Sequence, residues 1–322
     1  MSIGAYILKR ILQTLPLLLL ISIMSFIIIK LSPVDPLAEL KMNPAISAQT
    51  LQAEKERLGL NLPLHAQYFK WLSSTLKGDL GVSTSGEKVS DRLMERIPNT
   101  LLLTLTVIII TWLIAVPVGV YAALHWKSPL DRFLTILSSL GMAVPAFFLA
   151  LILLIFAVKT GWFPVGGLTS AGFDRFSLPH KIIDIAHHLV LPVFVLSVVS
   201  LAGLQRQMRG NLLDVLEADY VKMARAKGLP ENKVIYKHAL RNAINPMVTL
   251  LGFEFASLLS GAALTEYVLQ YPGLGRLILE AVIKQDLNLV MASLMMGAVM
   301  LVLGNLLADV LLKLVDPRIN LS

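Results

Sequence analysis

The sequence predicts an all-α, polytopic membrane protein of about six transmembrane helices, on three observations. Of its 322 residues 56% are hydrophobic and only 15% charged, against roughly 25% charged in an ordinary soluble domain. The shortage is local, with long charge-free stretches and charges gathered between them. Those stretches are close to the ~20 apolar residues a helix needs to cross a bilayer. An ionised side chain in hydrocarbon costs roughly 2.5–3.5 kcal/mol or more, which keeps charges out of them.

Six segments qualify in order: Ile11–Ile29, Leu101–Ala123, Phe133–Val158, Leu189–Leu204, Pro246–Leu264 and Leu287–Ala308. The first follows Lys9 and Arg10 as a signal-peptide core would. It is too long for one and lacks a small-residue cleavage site after it, so residues 1–30 read as a retained helix. Residues 31–96 then form an extracytoplasmic segment. It holds Tyr68, Phe69 and Trp71 and a Lys77-Gly78-Asp79 turn, the marks of a small folded cap rather than a linker. Residues 97–322 carry the other five helices. A Pro272-Gly273 turn opens an amphipathic helix with Leu274, Leu277, Ile278 and Val282 on one side.

Orientation follows from basic residues in short connections. The segment 206–241 holds Arg206, Arg209, Lys222, Arg225, Lys227, Lys233, Lys237 and Arg241. That density places it in the cytoplasm, and an even number of spans then puts both termini there too. The net charge of +7 has the same origin. Basic loops facing anionic membrane lipid explain it, with no nucleic acid partner required.

Several chemistries are missing. There is no cysteine, which excludes disulfides, thiolate metal sites and Cys nucleophiles. No G-x-x-x-x-G-K-[ST] run is present to hold ATP, and no H-E-x-x-H. Gly81-Val82-Ser83-Thr84-Ser85 lacks the closing glycine of a nucleophile elbow. No catalytic residue, cofactor or enzyme activity is therefore expected. His180, Asp184, His187 and His188 have spacings that could bring ligands together, but His is common at a membrane interface, and no metal site is assigned.

The segment 206–241 carries the most information. Tyr220, Met223, Ala224 and Lys227 share a helix face, Gly228 stands where a helix ends in a left-handed residue, and Pro230 with Glu231 suits a new first turn. The reading is helix, sharp elbow, then a second helix running into the fifth span. Pattern alone leaves two uses open, a lever for a partner domain or an anchor in lipid headgroups. Glu254, about nine residues into the fifth span and so ~14 Å deep, also has two readings. It is a contact on a solute pathway or, the reading favoured here, a hydrogen-bond partner for a neighbouring helix.

At Lys222-Met223-Ala224-Arg225-Ala226-Lys227-Gly228 the chain resembles the EAA loop of permeases from ATP-binding-cassette importers. Lys222 replaces the general family's Glu and Arg241 its Pro, as in the dipeptide/oligopeptide/nickel branch. Pro33-Val34-Asp35-Pro36, Lys77–Ser83, Pro145-Ala146-Phe147, Phe163–Gly167, Glu266 and Tyr271–Gly275 are similar to that branch in the same order. The long first external segment resembles its B-type subunit.

The resemblance implies a permease subunit in a bacterial cytoplasmic membrane, carrying short peptides. Its partners would be a second homologous permease, two ATP-binding subunits and an extracytoplasmic solute-binding protein. It implies that Tyr220, Met223, Ala224, Arg225, Ala226, Lys227 and Gly228 dock the ATPase. A nickel chelate or an oligosaccharide is the rival cargo. An ion-conducting subunit of a respiratory-type complex is the rival class, and it would carry several deep ionisable groups where this chain has Glu254.

Overall fold

The computed structural model describes residues 3–31, 37, 41, 46–57, 59–284 and 286–315. The Pro33–Pro36 run lies outside them. Among the described residues the protein is helical with no strand, and one isolated bridge joins Val82 to Lys88.

Helix α1 (Ile3–Leu31) leads to α2 (Ala48–Arg57) and α3 (Leu64–Leu76). Helix α4 (Val89–Leu124) has 36 residues, about 54 Å at 1.5 Å per residue. It therefore begins well before the span expected at Leu101. Helices α5 (Pro129–Ala143), α6 (Ala146–Thr160) and α7 (Leu178–Leu216) follow. The fourth span, expected at Leu189–Leu204, is the middle of α7, whose 39 residues extend it at both ends. After the short α8 (Asp219–Ala226) come three helical pieces, Glu231–Lys233, Val234–Ala239 and Leu240–Ala243, the middle one π-helical. Helices α9 (Asn245–Gly261), α10 (Ala263–Val268), α11 (Leu274–Ile283) and α12 (Leu287–Val315) complete the chain.

Among the described residues four helices are long and apolar enough to cross a bilayer: Leu8–Ile28 within α1, α4, α7 and Leu287–Leu306 within α12. The third expected span is not one straight helix. It is the pair α5 and α6, bent by 94°. Pro145 has no N–H to continue the ladder, and Val144 before it takes the extended backbone (φ −88°, ψ 121°) that a following proline favours. The fifth maps onto α9, whose 17 residues rise about 26 Å. It ends at Gly261 rather than Leu264, before α10 begins.

Helices α4 and α7 run parallel and form the spine, with Leu103 and Val107 beside Leu189 and Val193 at one end and Ala115 and Val120 beside Leu204 and Met208 at the other. They approach closely at Gly119, where a Cβ would lie 2.8 Å from the Met208 Cβ and 2.9 Å from the Gln205 carbonyl. Helices α9 and α12 pair at Gly304, which leaves room for the Phe255 ring. One buried cluster gathers Met208, Leu212, Val221, Val234 and Met247 at the end of the bundle bearing the elbow. Another gathers Val89, Leu103, Tyr271, Leu274 and Leu277 at the far end. Burial of such side chains, roughly 1.5–3 kcal/mol each in water, thus holds the two ends that emerge from the bilayer as well as the bundle between them.

Candidate functional site

The elbow begins where α8 ends. Gly228 has φ +75°, a left-handed backbone that suits glycine. Its N–H donates to the Arg225 carbonyl and the Leu229 N–H to that of Ala224, closing the helix end. Pro230 caps the next piece in extended conformation. Arg225 spans the turn, donating from Nη2 to Glu231 Oε1 at 2.7 Å and from Nε to both carboxylate oxygens at 3.2 Å. That bond raises the guanidinium pKa and lowers that of the Glu231 carboxyl, the direct hydrogen bond being the main cause in each case.

The helix face read from the sequence divides in space. Ala224 is buried, with Val221, in the cluster formed by Val234 and Ala239. Tyr220 and Met223 are exposed, at 43% and 57%, and Ala226 and Lys227 are exposed beside Gly228. The Asn242 amide donates to the Tyr220 hydroxyl at 2.8 Å, tying α8 to the run that leads into α9. A brace that sequence reasoning missed lies alongside. Buried Asp131 accepts from Arg209 Nε (2.6 Å) and Nη2 (2.9 Å) and from the Lys127 N–H. The local signal was present: Ser128 caps the Asp131 N–H with Pro129 in the first turn, a sequence-level helix start.

Glu254 has a partner that spacing does not reveal. The Trp112 indole Nε1–H on α4 donates to its Oε2 at 2.9 Å. The histidines do not converge, and among the described residues no three His, Asp or Glu side chains group to hold a metal ion. His180 pairs with Ser177, His187 with the Trp162 carbonyl and His188 with the Asp184 carbonyl. The Asp184 carboxylate accepts from the Ser170 N–H and hydroxyl.

At the far end two buried carboxylates hold the connecting segments. Asp286 accepts from the Ser83 hydroxyl and from the Thr84 N–H at 2.9 Å, while the Asn288 amide donates to the Val82 carbonyl. This pins the 81–88 turn to the start of α12. Glu266, on the short α10, accepts from the Arg276 N–H at 2.9 Å, at the first turn of α11. Its carboxyl occupies the space where a Gly273 Cβ would stand, and burial pushes its pKa up to about 7. The Tyr271 hydroxyl donates to the Asn99 carbonyl and the Thr100 hydroxyl accepts the Leu274 N–H, so the Tyr271–Leu274 turn is bolted to α4. Helix α3 leans on α1 through Tyr68, whose hydroxyl is 2.8 Å from that of Ser22.

A bundle of long apolar helices defines an integral membrane protein. Residues 115–321 match the binding-protein-dependent transport system inner membrane component family, and residues 3–104 match its N-terminal region. The chain belongs to this family: it is a multi-pass inner-membrane permease subunit of an ATP-binding-cassette importer, a class that works with an ATPase and a binding protein. It is 42% identical over 320 residues to the oligopeptide transport system permease protein AppB of Bacillus subtilis, covering 98% of this chain and 99% of the relative. It is 35% identical over 317 residues to the glutathione transport system permease protein GsiC of Salmonella typhimurium, covering 98% of each.

Proposed function

We propose that this chain forms one half of the pathway of a peptide importer, beside a second homologous permease, with two ATP-binding subunits and an extracytoplasmic binding protein. The observation that carries this reading is the elbow. A short helix presents Tyr220, Met223 and Lys227 outward from a rigid turn set by Gly228 and the Arg225–Glu231 pair, and the helical run behind it continues into α9. A push on α8 is thereby delivered to a membrane helix. ATP hydrolysis belongs to the separate subunits, the elbow faces the cytoplasm and both termini lie on that side.

The external segment Pro36–Arg96 helps receive the binding protein, and the Asp286 pin supports this by fixing the 81–88 turn to a membrane helix. Glu254, tied to Trp112, joins two helices of the pathway wall. Peptide cargo is supported by the full-length likeness to permeases named for oligopeptide and glutathione. The test is uptake of labelled oligopeptide by cells with and without this chain. Peptide uptake lost on deletion and restored by the gene supports the reading, whereas loss of nickel or oligosaccharide uptake instead replaces the cargo.

A further inference from the structure

Helix α1 lies at the edge of the bundle. Only 12% of its apolar span is buried, against 33% in α4 and 44% in α7 and α12. Helix α3 packs against it. None of the 13 residues of α3 is buried. None is acidic, and Tyr68, Phe69, Lys70 and Trp71 follow one another along it. An acid-free helix rich in aromatic residues suits the boundary between membrane and water.

Between the two helices runs an apolar groove of about 360 Å³, within the ~300–1,000 Å³ of small-molecule sites. Ile23, Phe26 and Ile27 line it from α1, and Leu64 and Phe69 from α3. Tyr68 joins the two walls. Its hydroxyl is 2.8 Å from that of Ser22, and its ring centroid is 5.4 Å from that of Phe26.

Lys30 continues the α1 wall, being three, four and seven residues on from Ile27, Phe26 and Ile23. It stands two residues past the end of the span Leu8–Ile28, about 3 Å along the axis, and so at the edge of the hydrocarbon. Its Nζ is 5.6 Å from the Phe26 ring centroid, so its stem follows the apolar wall as a snorkelling lysine's does. His65 adds a second ring nitrogen donor to the lining, and no carboxylate is part of it.

An apolar groove on a lipid-facing helix, basic where the hydrocarbon ends, fits an acyl chain below and a phosphate above. A partner's apolar helix laid there would desolvate the Lys30 ammonium with no anion to offset the cost. A choline lipid would bring a cation of its own. We propose that the α1–α3 groove binds an anionic phospholipid, its chain between Ile23, Ile27 and Phe69 and its phosphate on Lys30. The lipid tethers α3, and with it the start of the 59–88 connection, to the first membrane helix. The site requires neither the peptide cargo nor the orientation proposed above, so symmetric bilayers serve to test it.

The test uses the assembled complex in nanodiscs of equal phosphatidylglycerol and phosphatidylcholine. A photoreactive residue in place of Ile27, which is 49% exposed in the groove wall, should capture phosphatidylglycerol in roughly fivefold excess, the preference one basic side chain gives near a membrane surface. The same residue in place of Ile28, 63% exposed at the same depth but outside the groove, should capture the two lipids equally. Lys30→Gln should bring the ratio at position 27 close to one, and Lys30→Arg should keep it.

Equal ratios at positions 27 and 28, or an excess that survives Lys30→Gln, overturn the lipid site. Capture of a protein chain at position 27 replaces it with a subunit interface. Should Lys30→Gln fail to accumulate, the comparison of positions 27 and 28 with Lys30 in place decides.

Discussion

The elbow turn and the far end of the bundle are closed by acid groups of opposite character, although buried Asp131 braces the helices behind the elbow as well. At the far end Asp286 and Glu266 are 2% and 1% exposed, and their bonds tie segments far apart in sequence to membrane helices. At the elbow the pair Arg225–Glu231 is 40% and 54% exposed and closes a turn of six residues. A buried carboxylate with satisfied bonds is costly to disturb, while an exposed pair adds little stability. The far end is therefore built to stay rigid, while the elbow is held by a pair that can yield, as the proposed docking role requires.

The largest effect that would break this comparison is at Gly228. A Cβ there meets nothing within 4 Å, so Gly228→Val strains only the left-handed backbone, by roughly 1–2 kcal/mol, and re-aims the elbow. Peptide uptake should fall at least about tenfold while membrane abundance stays within about twofold. Equal loss of abundance would make the elbow a folding element instead.

At the far end Asp286→Ala removes the acceptor of the Ser83 hydroxyl and the Thr84 N–H and frees the 81–88 turn. Detergent-solubilised complex should lose roughly 1–3 kcal/mol of local stability, read as faster proteolysis within that turn, with the elbow's protease resistance unchanged. Spread of the damage to the elbow would show the two ends are not independent.

A smaller effect follows from Glu266. Its folded-state pKa of about 7 stands above the ordinary 4.5. The folded state thus holds a proton that the unfolded state releases between those values. Its stabilisation is full below about pH 4.5 and is lost as pH rises to about 7. Thermal stability of the wild type should decline across that window from this group, and Glu266→Gln should flatten that part of the profile. An unchanged slope would remove Glu266 as its source. The smallest effect is Arg225→Ala, which should leave thermal stability nearly unchanged yet reduce uptake. A large loss of stability would place the elbow in the same class as the far end.

These differences decide what could be read from sequence. Gly228 and Pro230 declared the elbow because their constraints are local. Val144-Pro145 also carried a local signal, but an unbroken hydrophobic run masked the 94° bend. Asp286 and Ser83 are separated by 203 residues, and no periodicity links them. The same is true of Trp112 and Glu254, 142 residues apart. Ala224 shows the limit of helix-face reasoning. Spacing grouped it with Tyr220 and Met223, but the cluster around Val234 draws it inward with Val221.

That division of the α8 face makes Met223 the position at which to test the central claim. The chain has no cysteine, so Met223→Cys introduces a single thiol on an exposed side chain without disturbing the buried Val221–Ala224 face. A short bifunctional cross-linker from this thiol in the assembled importer should capture the ATP-binding subunit, with a yield that changes between nucleotide-free and ATP-bound states. Capture of lipid alone, with peptide uptake intact, would contradict the account and leave α8 as a membrane anchor.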